Sequence, residues 1–256
     1  MSDEPMLKID IEDSIAILIM NRPAKRNAMC DELLAHIDAF ISAPPEGVKV
    51  AILTGTAGHY CSGLDLSEHV ARDAEGTMRH SRGWHQVMDR IQYGGLPVIS
   101  AMFGAVIGGG LELASATHVR IAEPSTIFQL PEGRRGIFVG GGASVRIGRI
   151  LGADRMIEMM LTGRKYSAEE GLGLGLTHYC VGEGEALAMA KDLARKIADN
   201  APLSNYIMIQ ALSRIEDMAK ADGLFTESLC AALTQTSPDA QEGLKAFLEK
   251  RTPNFK

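Results

Sequence analysis

Two glutamates stand where a side chain could move protons. Glu112 lies inside an otherwise apolar segment, Leu111 to Ala116, directly after the run Gly108-Gly109-Gly110. Burying a carboxylate there costs several kcal/mol unless it is paired or protonated. Such a group is either a first-turn acid favoured by its helix or an acid or base tuned by its surroundings. Glu132 follows a proline in a second glycine-flanked turn, Gln129-Leu130-Pro131-Glu132-Gly133; taken alone it reads as a solvated loop acid. Together the two form a candidate acid/base pair. Glycines ahead of a helix also leave backbone N–H groups free and approachable, which suits an anion or a developing oxyanion; the plain alternative is a tight turn against a sheet. A third segment, His59 to Leu66, holds Cys61 and Ser62. Neither reads as a nucleophile, because position 60 is Tyr and no GxSxG surrounds Ser62.

The elements that must position these groups follow an α/β rhythm. Met6 to Asp10 and Ser14 to Met20 read as a hairpin turning at Glu12-Asp13. Met29 to Ile41 has helical apolar spacing and Val48 to Leu53 is a β-branched strand. Leu66 to Ile91 is expected as helix, loop and helix, broken at Glu75-Gly76. Pro97 to Phe103, Val119 to Ala122 and Thr126 to Gln129 are further strands, and Leu111 to Ala116 a short helix. From Ala143 onward helices dominate: Ala186 to Ala198, Pro202 to Met218, Leu224 to Thr234 and Asp239 to Lys250, with one strand at Thr177 to Val181. A boundary near Asn200 divides an α/β core, residues 1–200, from a helical region, 201–256. The latter is too short to bury much by itself and is expected to pack on the core or on a neighbouring subunit.

Composition narrows the function. The chain has 256 residues and a net charge of −6, which argues against a nucleic-acid module. The apolar stretch Leu96 to Leu111 is interrupted by four glycines and falls short of the ~20 residues a membrane span needs. No leader pattern is visible in Met1 to Asp10, where Asp3, Glu4 and Asp10 are acidic. Four separated cysteines without CxxC spacing suit a reduced, cytoplasmic setting. The histidines form no HxxxH or HExxH pattern, so no metal site is expected. No GxxxxGK[ST] or GxGxxG supports a nucleotide site.

The order and spacing of these segments resemble the crotonase family, also called the enoyl-CoA hydratase/isomerase superfamily, over nearly the whole chain. Asn21-Arg22-Pro23 with Asn27-Ala28 is similar to its early NRP…NA segment, and Cys61 to Leu66 to its (S/A)GxD(L/I) loop. Gly104 to Leu113, reading GAVIGGGLEL, is similar to its most characteristic motif. Leu130-Pro131-Glu132 with Gly136, Gly140 to Gly142 and Arg146 resembles the next block. Leu161 to Arg164 and Gly173 to Leu176 resemble later signatures.

The resemblance implies a crotonase-like spiral of ββα units with a C-terminal helical trimerisation region, assembled as a homotrimer or homohexamer. It implies an oxyanion hole from the backbone N–H groups of Ser62 and Gly109, flanked by Gly63, Asp65 and Gly108, for the thioester oxygen of an acyl-CoA. Glu112 and Glu132 would hold one water and add it syn across a 2-enoyl-CoA, giving a 3-hydroxyacyl-CoA, with Gly140 shaping the water site. Arg26, Ala28 and Leu64 would meet the adenine nucleotide. Phe247 and Lys250 would reach a neighbour's CoA site. Coenzyme A enters as part of the substrate, and no resident cofactor is implied. Two alternatives stand beside this: a Δ3-Δ2 enoyl-CoA isomerase relying on Glu132, and a non-catalytic acyl-CoA-binding subunit. The chain departs from the pattern at Val139, where a proline is common. It also departs at Gly133-Arg134-Arg135, where a cation pointing inward would lower the Glu132 pKa.

Overall fold

The computed structural model describes residues 4–68 and 71–255, with only the backbone at position 68. Asp3 and residues 69–70, which entered the expectations above, lie outside the described residues. Strands β1 (Leu7–Glu12) and β2 (Ile15–Met20) form the expected hairpin, pairing Leu7 with Met20. Its first strand ends two residues later than expected, at Glu12, and the chain turns at Asp13, whose φ is +54°. Then follow α1 (Asp31–Ser42), β3 (Val50–Thr54), α2 (Ala74–Tyr93), β4 (Val98–Met102), β5 (Ala105–Ile107) and α3 (Gly109–Ser115). Next come β6 (Val119–Ala122), β7 (Ile127–Gln129), α4 (Ala143–Leu151), α5 (Ala153–Thr162), β8 (Tyr166–Ser167), α6 (Ala168–Leu174) and β9 (Tyr179–Cys180). Helices α7 (Ala186–Ala198), α8 (Pro202–Ile215), α9 (Lys220–Gln235) and α10 (Pro238–Glu249) close the chain.

The larger sheet has the order β1-β2-β3-β4-β6-β9, antiparallel at β1-β2 and parallel elsewhere. Its inner strands are buried on both faces, as parallel strands must be. Alternation divides their side chains. Ile15, Ile17, Val50, Ile52, Ile99 and Ile121 face a stripe of alanines on α7, Ala186, Ala190, Ala194 and Ala198, which lets that helix approach closely. The opposite residues, Leu18, Met20, Leu53 and Met102 among them, join the main core with α1 and α2.

The smaller sheet, β5-β7-β8, decides the site. Strands β5 and β7 pair in parallel, Ala105 with Ile127 through Ile107 with Gln129. An isolated bridge joins Cys61 to Val106, and another joins Met29 to Leu64. The loop after β3 is thus laid alongside the strand that ends in the triple glycine. Strands β5 and β8 were not anticipated; with three and two residues they are too short to show periodicity. The expected break at Glu75-Gly76 is absent. The interruption comes earlier, and Asp73 caps α2 by accepting from the Gly76 amide at 2.7 Å.

Helix α8 packs on α9 and touches α2, and α10 packs on α9. None of the described helices is long and apolar enough to cross a membrane.

Candidate active site

A cavity of about 190 Å³ opens where the smaller sheet, α2 and α3 meet. Its wall includes Ser62, Gly63, Leu64, Gly108, Gly109 and both glutamates. The residues singled out in four separate sequence segments therefore converge on one space.

Glu112 sits in the first turn of α3 and is only 4% exposed. Its Oε1 accepts from the amides of Gly141, at 2.8 Å, and Ala143, at 3.1 Å. Burial nevertheless pushes its pKa above the ordinary value, against those hydrogen bonds and the Arg146 charge. A side chain at Gly141 would collide with the carboxylate, its Cβ lying 2.6 Å from Oε2. Glycine at that position is what lets backbone reach the acid.

Glu132 opens a short 3-10 turn and is also buried. Its pKa is pushed up to about 7, first by burial and further by the nearby Glu112 charge, with Arg135 opposing. Its buried Oε2 has no hydrogen-bond partner among the described residues. An unmet buried oxygen costs about 1–3 kcal/mol, and this one belongs to a residue that lines the cavity. Gly108, at φ +52°, leaves room for this carboxyl: a Cβ there would lie 2.7 Å from Oε1. The cation expectation resolves by residue. Arg134 donates to the Thr162 carbonyl at 2.7 Å. Arg135 lines the cavity and does lower the Glu132 pKa, but burial outweighs it.

One expected oxyanion donor is corrected by the geometry. The Ser62 amide already donates to the Arg26 carbonyl at 3.1 Å, and its hydroxyl donates to the Lys25 carbonyl. It has no proton left to offer. The Gly63 amide points at the Cys61 sulfur, 3.5 Å away, and the Asp65 amide donates to Met29. Leu64 is the loop residue whose amide has no partner among the described residues. The bridge to Met29 explains this: the Gly63 carbonyl accepts from the Met29 amide and the Asp65 amide donates to the Met29 carbonyl, so the Leu64 N–H between them faces the other way. The Gly109 amide is likewise unpaired, as first-turn amides are. The two lie close: a methyl on Gly109 would sit 3.4 Å from the Leu64 nitrogen. The signal was legible in the alternation of an extended loop, had the register been known.

The remaining expected site residues scatter. Gly140 lines the cavity, and its carbonyl accepts from Ser81 Oγ at 2.6 Å. Asp65 is buried and ion-paired with Arg22 at 2.9 Å, so it braces the loop from behind. Arg26 is exposed, with φ +50°, and Ala28 is buried nearby. Phe247 and Lys250, on and just after α10, do not line this chain's cavity. Cys61 is fully buried with its thiol pushed up to about 12 by burial, which removes it as a nucleophile at neutral pH.

Residues 10–256 match the family model described as enoyl-CoA hydratase/isomerase. The 2,3-dehydroadipyl-CoA hydratase of Escherichia coli K12 is 32% identical over 98% of both chains. The human enoyl-CoA hydratase domain-containing protein 2, mitochondrial, is 33% identical over 95% of this chain and 86% of its own. Among solved structures, one from Rhodopseudomonas palustris CGA009 with a provisional enoyl-CoA hydratase assignment superposes with a TM-score of 0.93. It is 45% identical and covers 96% of this chain and 95% of its own. An enoyl-CoA hydratase from Bacillus anthracis gives 0.92 at 30% identity, over 98% and 99%.

Proposed function

From the premise that the chain belongs to the enoyl-CoA hydratase/isomerase family, we propose that it adds water to a 2-enoyl-CoA, giving a 3-hydroxyacyl-CoA. The observation that carries this reading is the pairing of two buried carboxyls with two unspent amides on one cavity. The Leu64 and Gly109 amides would hold the thioester oxygen as it gains charge, and fixed donors of this kind act without reorganising. Glu112, held by two amides, would take a proton from the attacking water. Glu132, whose pKa is pushed up to about 7, would deliver a proton to the α-carbon. Burial and, for Glu132, the neighbouring Glu112 charge both disfavour ionising the pair.

The test is incubation with short, medium and aromatic 2-enoyl-CoAs, following loss of the ultraviolet absorbance of the conjugated thioester. Turnover of at least one is expected; none with any would defeat the reading.

One observation favours a second reading. Glu112 Oε1 is tied to backbone, whereas Glu132 Oε2 is unpartnered, an asymmetry suited to a Δ3-Δ2 isomerase that shuttles one proton through Glu132. A 3-enoyl-CoA converted without uptake of oxygen from labelled water would select it. Binding without turnover throughout would leave a non-catalytic acyl-CoA-binding role.

For assembly, the reading is a trimer or a pair of trimers. Phe225, Leu229 and Leu233 form an exposed i, i+4, i+8 stripe on α9, and Leu244, Phe247 and Leu248 are exposed on α10. An apolar surface of that extent favours a second copy over water.

A further inference from the structure

One wall of the cavity is built in a way that hydrating an enoyl thioester does not require. Thr77, His80, Ser81 and Trp84 all line it and stand at i, i+3, i+4 and i+7 of α2, so a single helix face looks onto the acyl space. A pocket for a plain hydrocarbon would present apolar groups there. Three of these four are polar.

Their hydrogen bonds are directional. His80 Nε2 lies 2.7 Å from Asp31 Oδ1. Trp84 Nε1 also points to Asp31 Oδ1, at 3.4 Å, and Arg72 lies 3.5 Å from Oδ2. Asp31 remains a carboxylate, its pKa lowered by His80, Trp84 and Arg72 against some burial. A carboxylate only accepts, so His80 Nε2 carries a proton toward Asp31. The other ring nitrogen, Nδ1, has no partner among the described residues. Ser81 is oriented as well. Its proton goes to the Gly140 carbonyl at 2.6 Å, leaving the oxygen as acceptor, with His85 Nε2 at 3.5 Å. The Thr77 hydroxyl has no partner among the described residues.

We propose that this α2 face selects acyl groups bearing a distal hydroxyl, which hydrogen-bonds to the unpaired ring nitrogen of the His80 that Asp31 holds in place. The inference deepens the acyl-CoA reading and rests on it. His80 is here a specificity-determining residue and takes no part in the addition of water. An alkyl chain would displace water from these partly exposed polar groups without replacing its hydrogen bonds, which is how a site built for hydrogen bonding disfavours an apolar analogue. The competing occupant is a distal carboxylate, which would need a donor. Arg135, which lines the cavity and has no ion-pair or hydrogen-bond partner among the described residues, is the group that could hold it.

The experiment compares 2-enoyl-CoAs ending in methyl, hydroxyl or carboxylate over a series of chain lengths, reading kcat/KM. It also compares the corresponding saturated acyl-CoAs by titration calorimetry, reading Kd without turnover. At the best length the hydroxyl form is expected to lead the methyl form by about tenfold or more in both. In His80→Leu the two should become equal. Equal values in the wild type overturn the inference whatever the variant does, and a lead for the carboxylate form overturns it in favour of Arg135. Turnover without preference sinks only this inference. Preference in binding with no turnover of any thioester leaves it standing and sinks the hydration reading.

Discussion

Glu132 has a pKa of about 7, raised chiefly by burial, and that has consequences for rate and for stability. In the proposed hydration it acts as the protonated acid, so kcat/KM should fall as pH rises through about 7. A pH–rate profile that stays flat from about pH 6 to 9 would contradict that role. For stability, the folded protein holds this proton more tightly than the unfolded chain. The contribution is fully present below the ordinary glutamate pKa and is lost as pH rises through the folded value. Glu132→Gln should therefore gain stability relative to wild type between about pH 5 and 8, by on the order of 2 kcal/mol. Denaturant melts at the two pH values measure it. The same substitution, and Glu112→Gln, should each cut turnover by about two orders of magnitude or more; wild-type rates in either would remove the paired-acid mechanism. Both glutamates were legible in the sequence because an acid among apolar residues and an acid between glycine turns are visible as types. That Glu112 is tied by backbone and Glu132 is not depends on where residues 141 and 143 arrive, which no local pattern states.

At the scale of elements, the site depends on a loop held from behind. The Arg22–Asp65 pair is buried on both sides and joins the segment after β2 to the loop that carries the Leu64 amide. Burying an ion pair contributes little net, but removing one partner leaves a charge without compensation. Asp65→Ala should cost about 3 kcal/mol of stability. It should also lower kcat/KM in the protein that remains folded, since Leu64 is no longer braced. Unchanged stability in a thermal melt would show the pair to be ornamental. Several helix and strand identities followed from local pattern: β6 and α7 fall at the expected residues. The start of α2 was misplaced because Gly76 looked like a break. In the first turn of a helix a glycine costs little, and here its amide completes the Asp73 cap. The Ser62 assignment failed for a related reason. Which amide of an extended loop faces inward is set by its bridge to Met29, a contact 35 residues away in the chain.

For the molecule as a whole, the apolar residues exposed on α9 and α10 make a prediction about assembly. Sedimentation should show a species larger than one chain, and Phe225→Asp with Leu229→Asp should shift it toward the monomer. A wild-type monomer at micromolar concentration would refute the assembly proposal. The chain by itself determined the α/β class, the family, and the residue types able to hold a thioester and move protons, because hydrophobic period and motif order are properties of the linear string. Only the tertiary structure decided which amides are unspent, which carboxyl is left without a partner, and which helix face lines the cavity. Those are matters of long-range register and burial, and hydrogen bonds and pKa values are settled by whatever neighbours the fold brings within a few ångströms.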